Sequence, residues 1–289
     1  MFEILIAVVI IAGLIVASYS DIKTREVPDW VNFSLIAAGL GIRLIYSLIT
    51  WDYTYFLYGM IGFTVFLVLA YAMFYTGQWG GGDSKLLMGL GALIGINISF
   101  TEFPLIVSFI FNLLVIGAIY GIIWSISLAF WKRKEFGREL SLILKDNKTK
   151  KFKWIALIGG FLLLLLSLLV SDIVLKVVGI VAGILVILTY YLWIFLKAVE
   201  NSCMIKLVDP RKLTEGDWIV KDIKYKGKRI TGPKDLGIEK KQIDELVKLY
   251  KQKKIKQVLI KEGIPFVPSF LLAYIFTLLL GNILFLIIH

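Results

Sequence analysis

The sequence predicts an all-α polytopic membrane protein of about eight transmembrane helices with a small α+β cytoplasmic insertion. Two observations support this prediction. Hydrophobic residues make up 58% of the 289-residue chain, and its mean hydropathy is +0.83. Most of the apolar residues are gathered into runs close to the ~20 residues that a helix needs to cross a bilayer, whereas a soluble globular protein is nearer half apolar.

The apolar runs are the candidate spans. The first run lacks the basic start and the small-residue cleavage site of a secretory signal, so we expect it to be retained as a helix. The runs lie at 2–20, 31–49, 54–75, 84–98, 103–131, 154–170, 173–196 and 265–288.

The charged residues divide the connecting segments into two kinds. Segment 132–153 has nine Lys/Arg and three Asp/Glu, and segment 197–262 has eighteen and ten, whereas the rest of the chain has five and eight. Because basic loops stay inside, both segments are expected in the cytoplasm. The turns at 50–53, 99–102 and 171–172 carry no Lys or Arg and are expected outside. This topology accounts for the basic balance, so we expect no nucleic-acid partner.

The long basic segment contains the residues that resemble a folded module. Strands are predicted at 216–220 and 223–230, with a turn at Lys226-Gly227-Lys228. Helical spacing at 239–253 and alternation at 255–260 predict a helix and a further strand.

Cysteine and histidine are nearly absent. Cys203 is the only cysteine, and His289, the last residue, is the only histidine. These counts exclude an internal disulfide and a multi-cysteine zinc site, and they argue against histidine catalysis. We expect neither a metal nor a cofactor.

Two aspartates are predicted at similar depth near the cytoplasmic boundary. Asp21 directly follows the first span, about 30 Å of helix from the other side. Asp83 opens the fourth span, which is too short at about 22 Å to cover a core of about 30 Å. Gly80-Gly81-Gly82 precede it, and such a run permits unusual φ values and close approach of another backbone. Acids at a membrane edge are candidates for function.

Several interpretations of these aspartates remain open at this point. Two neighbouring carboxyl groups can share a proton, so that one activates water while the other polarises a peptide carbonyl. Asp21 could instead cap or flank a helix, as could Glu26 or Asp29, and Asp83 could simply stabilise a helix N-terminus. A transporter or channel could use Asp21 and Asp83 as ion or proton sites, and a scaffold would use neither.

Four segments resemble one family, the type IV prepilin and archaeal preflagellin peptidases, which are membrane aspartic peptidases with a Gly-x-Gly-Asp signature. The segment from Asp21 to Val27-Pro28-Asp29 resembles its first aspartate motif, and Gly80 to Leu86 resembles Gly-x-Gly-Asp-x-Lys. The segments Gly91–Gly95 and Gly263–Pro268 also resemble family segments.

The resemblance implies a multi-pass plasma-membrane endopeptidase that faces the cytoplasm and removes the short basic leader from prepilin-like or archaellin precursors. Asp21 and Asp83 take the catalytic positions, and Gly80, Gly82, Lys85, Pro28 and Asp29 would bind substrate or shape the site. The missing cysteine-rich segment suggests the archaeal branch and no methyltransferase activity. The partners are then the precursor and the lipid bilayer, with the oligomeric state left open.

The resulting domain prediction has five parts. They are a catalytic membrane bundle at 1–131, a basic cytoplasmic loop at 132–153, an additional transmembrane hairpin at 154–196, a cytoplasmic α+β module at 197–262, and a C-terminal transmembrane helix at 263–289.

Overall fold

The computed structural model describes residues 1–97 and 104–283, so the predicted outer turn at 99–102 and His289 lie outside the described residues. The helices are α1 (Phe2–Thr24), α2 (Asp29–Thr50), α3 (Thr54–Tyr75), α4 (Gly81–Ile94), α5 (Leu105–Trp131), α6 (Arg133–Lys145), α7 (Asn147–Leu168), α8 (Ile173–Ser202), α9 (Lys240–Lys251) and α10 (Val267–Leu280). The strands are β1 (Ile205–Val208), β2 (Trp218–Ile219), β3 (Ile223–Tyr225), β4 (Lys228–Thr231) and β5 (Val258–Lys261).

Six of the described helices are long and apolar enough to cross a membrane, namely α1, α2, α3, α5, α7 and α8. The multi-pass helical prediction is therefore confirmed in outline, together with a small sheet region. The two other predicted spans correspond to α4 and α10, which have 14 residues each. Each is about 21 Å long, which is less than the ~30 Å of a hydrocarbon core.

The chain divides into two compact units. The first contains residues 1–123, 208–258 and 262–289, and the second contains residues 124–207 and 259–261. The core of the first unit is built from one apolar face of each helix. In α1 that face repeats at helical spacing through Ile6, Ile10 and Leu14, all nearly fully buried. It packs with residues of α2, α4, α5 and α10 in a single cluster.

Small residues let α4 lie very close to its neighbours in the first unit. A methyl group added at Gly62 of α3 would collide with the backbone of Gly91 and Gly95, and one added at Gly39 of α2 would collide with Ala92. The spacing of Gly91 and Gly95 predicts such close packing, and the structure confirms it.

Buried polar side chains cap the C-terminal ends of the two short helices. Arg43 of α2 is 4% exposed and donates to the carbonyl groups at the end of α4, at 2.7 Å for both Leu93 and Ile94. Asn112 of α5 is fully buried and donates to the Gly281 carbonyl at 2.7 Å, just after α10. Carbonyl groups left free where a helix stops are thereby satisfied without water.

The second unit is built on the α7–α8 hairpin. The backbones approach closely where Gly160 of α7 meets Gly183 of α8. Segment 132–153, expected as a loop, is helical over α6, and α7 begins at Asn147. The helical spacing of Phe136, Leu140 and Ile143, which pack against the α8 cluster around Tyr190, explains the difference. Helix formation here is favoured by burying that apolar stripe.

The module elements are close to those predicted. Lys226 and Gly227 form the turn between β3 and β4, with φ of 48° and 81°, and the predicted helix is present as α9. The predicted strands at 216–220 and 255–260 are present as the shorter β2 and β5. Strand β1, which pairs with β5, was not predicted, since its four residues alternate too briefly to stand out.

Candidate active site

Asp21 lies in the last turn of α1 and is 5% exposed. Its Oδ2 accepts a hydrogen bond from the backbone N–H of Val267 at 2.9 Å, and the N–H of Phe266 is a second donor. These N–H groups belong to the start of α10, so Asp21 caps that helix. The expectation that Asp21 could cap a helix is therefore met, on a helix 246 residues further along the chain.

Asp83 lies in the first turn of α4 and is partly exposed. Its carboxylate accepts a hydrogen bond from the backbone N–H of Gly80, directly before the helix. The carboxyl groups of Asp83 and Asp21 are close enough to interact electrostatically, and α1 and α4 are in contact. The structure therefore brings together the two aspartates that the sequence singles out, each at the start of a short helix. Two neighbouring carboxyl groups of this kind can share one proton.

The glycines before Asp83 provide space rather than unusual backbone angles. Gly80, Gly81 and Gly82 all have ordinary backbone angles, so the structure does not use the unusual φ values that this run permits. A methyl group at Gly82 would lie 3.2 Å from the backbone nitrogen of Val27, whereas Gly80 faces the Asp83 carboxylate alone. The expected close approach of another backbone thus occurs at Gly82, and it joins the two aspartate motifs.

The other predicted site residues lie on the edge of this region. Pro28 precedes the first turn of α2, with φ −60° and ψ 139°, and Asp29 begins that helix. Lys85 donates to Asp29 at 2.6 Å and lies over the Phe33 ring. Both side chains of the pair are well exposed, so its contribution to stability is small. The pair joins the start of α4 to the start of α2, and it partly neutralises Asp29.

Sequence reasoning missed several residues around the pair. Tyr120 of α5 and Arg25 at the end of α1 both interact electrostatically with Asp21. Trp79 stands within 6.1 Å of the Phe266 ring and 5.5 Å of the Phe270 ring, measured between centroids. A lone Tyr in an apolar run carries no periodic signal, so no pattern could have found Tyr120.

A separate group of acidic side chains includes Asp217 of the α+β module. Asp217 lies near Glu26, which follows α1, and near Glu262, which precedes α10. Burial raises the pKa of Asp217 above its ordinary value, and the two neighbouring carboxylates raise it further, while hydrogen bonds from Thr214 oppose the shift. Acidic groups from three segments of the first unit therefore lie near one another. Within residues 1–97 and 104–283, no group of His, Cys, Asp and Glu side chains has the arrangement of a metal site.

Comparison with known proteins identifies the segment that holds both aspartates. Residues 8–122 match the model of the type IV leader peptidase family. This part of the chain is similar to that family. The matched segment contains Asp21 and Asp83 and ends one residue before the first stretch of the first unit ends.

Curated relatives agree with the family model. The chain is 45% identical to a preflagellin peptidase of Methanocaldococcus jannaschii and 39% identical to one of Methanococcus maripaludis, in each case over 82 residues. These matches cover 28% of this chain and 35% of each relative, so the chain spans about a third of the length of the curated relatives it matches there.

A longer but weaker similarity covers nearly the whole chain. The prepilin peptidase EppA of Methanothermobacter thermautotrophicus is 20% identical over an alignment that covers 97% of this chain and 95% of the relative. No solved structure matches the chain significantly. The family resemblance predicted from the aspartate motifs is confirmed over the matched segment.

Proposed function

We propose that this chain is a membrane aspartic endopeptidase that removes the short basic leader from preflagellin (archaellin) or prepilin-like precursors. The observation that carries the proposal is the electrostatic contact between Asp21 and Asp83, which lie on different helices inside the family-matched segment. A hydrolase of this type needs two carboxyl groups that can act on one water molecule and one peptide carbonyl.

The contacts of each aspartate support a role of its carboxyl group in the reaction, because a backbone N–H holds each carboxyl group in place. The Asp21 carboxyl group is held at Oδ2 by the start of α10, and in the proposed reaction it would also contact the water molecule. The Asp83 carboxylate is held by the Gly80 N–H, at a place where glycine leaves room for a peptide backbone. In the proposed reaction one carboxylate takes a proton from water while the protonated partner polarises the scissile carbonyl. No covalent intermediate is required.

The remaining residues of the two motifs would shape the site. Gly80 would let the substrate backbone approach, and Gly82 would shape the site by letting α4 pack against Val27. Pro28 would fix the entry to α2, and the Lys85–Asp29 pair would hold α4 against α2. Glu26, Asp217 and Glu262 provide negative charge that suits the Lys and Arg residues of a leader.

The proposed topology has eight spans and places the site at the cytoplasmic face. α4 and α10 would count as the short fourth and eighth spans, reaching only part of the way through the bilayer from the level of the aspartates. The distribution of Lys and Arg in the connecting segments supports the orientation, and a basic leader stays on that side of the membrane.

The test is cleavage of a precursor by membranes that contain the full chain. We expect Asp21→Asn and Asp83→Asn each to reduce leader removal by at least about 10³-fold, because a single carboxyl group cannot serve both roles. Asp52→Asn, in the turn between α2 and α3, is the matched control and should cleave at the parental rate. Cleavage at the parental rate by either site variant would show that the pair is not catalytic. Failure of the parent to cut any leader substrate would favour the transporter alternative.

A further inference from the structure

The start of α7 carries a dense cluster of positive charge in the second unit. Lys148, Lys150, Lys151 and Lys153 are all exposed and lie within its first two turns. The first turn has no acidic residue, although the positive end of a helix dipole favours anions there. Four lysines at this end oppose the helix dipole, so an external anion would stabilise them.

Asp146 supplies only part of the negative charge that would balance these lysines. Its carboxylate caps α7 by accepting the Thr149 N–H at 3.1 Å. That hydrogen bond, together with the charges of Lys148 and Lys197, holds the pKa of Asp146 below its ordinary value. The interaction with Asp146 also places Lys197 of α8 beside the start of α7. The cluster therefore continues from one helix of the hairpin onto the other. We call these five lysines the basic patch.

Aromatic side chains lie at the same level as the basic patch. The rings of Phe152 and Trp193 meet edge to face with centroids 6.3 Å apart, and the Lys197 ammonium lies 4.8 Å from the Trp193 centroid. Tyr190 donates from its hydroxyl to the Thr149 carbonyl at 3.2 Å, which fixes α8 against the first turn of α7. Amphipathic aromatic residues of this kind collect at the headgroup level of membranes.

The chain becomes apolar within one turn of the basic patch. Trp154 and Ile155 follow Lys153 directly, and they are 63% and 56% exposed. Exposed apolar residues continue down α7 through Ile158, Phe161 and Leu162. The change from lysine to exposed apolar side chains locates the patch at the boundary between headgroups and acyl chains. Soluble acidic proteins or nucleic acids would reach the charges but would leave the adjoining apolar surface uncovered.

We propose that the basic patch, together with Trp193, is a binding site for the phosphate headgroup of an anionic phospholipid. The lysines would bind the phosphate, and the aromatic and aliphatic side chains below them would contact the upper acyl chain. Trp193, Leu196 and Lys197 also line an open cleft on α8 with Glu200 and Asn201. The site gives the additional hairpin, which lies outside the family-matched segment, a role of its own.

The experiment uses the purified full chain in detergent, titrated with phosphatidylglycerol or phosphatidylcholine and measured by native mass spectrometry. We expect phosphatidylglycerol to bind at least about tenfold more tightly than phosphatidylcholine. The variant K148Q/K150Q/K151Q/K153Q should lose about tenfold in affinity for the anionic lipid and little for the zwitterionic one. The matched control K240Q/K241Q/K251Q/K254Q removes four exposed lysines of the module and should change neither affinity by more than about twofold.

Three outcomes would overturn the proposal. The first is an absence of headgroup preference in the parent. The second is an equal loss in the control variant, which would mean that overall charge alone attracts the lipid. The third is displacement of bound phosphatidylglycerol by inorganic phosphate as effectively as by the lipid itself, which would indicate that the site binds free anions. Should the quadruple variant fail to fold by circular dichroism, K150Q/K151Q provides the same comparison with an expected loss of about threefold.

Discussion

The family-matched helices and the additional hairpin differ in how deeply their residues are buried and in what their polar groups can bind. In the most apolar window of α1 and of α5, 33% of residues are buried within the described structure, against 11% in α7 and in α8. The first group surrounds buried polar side chains such as Asp21, Arg43 and Asn112. The hairpin presents mostly apolar side chains that lipid can cover, and its charges lie at its two ends. Polar groups in the first region therefore depend on protein partners, whereas those of the second can use water and headgroups.

Among the changes that test this difference between the two regions, we expect removal of the Arg43 side chain to have the largest effect on stability. Arg43→Leu leaves several carbonyl groups at the end of α4 without a donor, because Arg43 serves Ala92, Leu93 and Ile94. We expect a loss of about 3 kcal/mol or more in the free energy of unfolding, measured by thermal circular dichroism in detergent.

A matched change in the hairpin shows whether the loss is specific. Lys176→Leu on α8 removes one positive charge from a helix that borders lipid, and we expect a change below about 1 kcal/mol. Arg43→Lys keeps the charge but cannot reach all the carbonyl groups, so its melting temperature should lie between those of Arg43→Leu and the parent. Equal melting temperatures for Arg43→Leu and the parent would contradict the capping role.

The next largest effect concerns glycine packing. Gly62→Ala forces α3 away from the backbone of Gly91 and Gly95, so we expect a loss of about 1–3 kcal/mol and slower leader removal as α4 shifts with Asp83. Gly159→Ala on α7 is the matched control, since a methyl group there meets nothing within 4 Å. The control should gain up to about 1 kcal/mol from the higher helix propensity of alanine. A gain for both variants in thermal melts would mean that α3 and α4 have room to adjust.

The sequence was sufficient for features that depend on local pattern. Apolar runs located α1, α2 and α3, and the aspartates were found because a charge at the edge of an apolar run is costly. The turn at Lys226-Gly227 and helix α9 also follow from local residue types.

The sequence was insufficient where a partner lies far along the chain. The capping of α10 by Asp21 and of the end of α4 by Arg43 cannot be deduced from neighbours in sequence. Helix α6 was missed because its many charges hide a three-residue apolar stripe. At Gly80 to Gly82 the composition permitted either unusual backbone angles or close approach of another backbone, and the sequence could not decide that only the close approach occurs.

A smaller effect is expected at the edge of the candidate site. Lys85→Met, Asp29→Asn and the double variant form a double-mutant cycle on the 2.6 Å ion pair between α4 and α2. Because both side chains are well exposed, the coupling free energy should be below about 1 kcal/mol and should decrease with added salt. The coupling is measured by thermal melts at two ionic strengths. A coupling free energy well above that value would mean that the ion pair contributes substantially to the stability of α4.

The smallest effect is a dependence of stability on pH that distinguishes two acids of the α+β module, Asp217 and Asp209. The pKa of Asp217 is raised in the folded chain, chiefly by burial, so its protonated form favours folding. This contribution is complete below the ordinary Asp value near ~4 and is lost as pH rises through the raised pKa. The melting temperature of Asp217→Asn, relative to the parent, should therefore increase as pH rises from about 4 towards neutrality.

Asp209 provides a control of opposite sign. Hydrogen bonds from Arg211, through its guanidinium at 2.8 Å and its backbone N–H, hold the pKa of Asp209 below its ordinary value. Its stabilising contribution is present above the ordinary Asp value and disappears as pH falls, so Asp209→Asn should lose melting temperature relative to the parent as pH rises. For each variant, the difference in melting temperature from the parent is plotted against pH. Plots with slopes of the same sign for the two variants would show that burial of Asp217 does not oppose its ionisation. Opposite slopes would indicate that the module holds Asp217 where burial and the neighbouring Glu26 and Glu262 disfavour its ionised form.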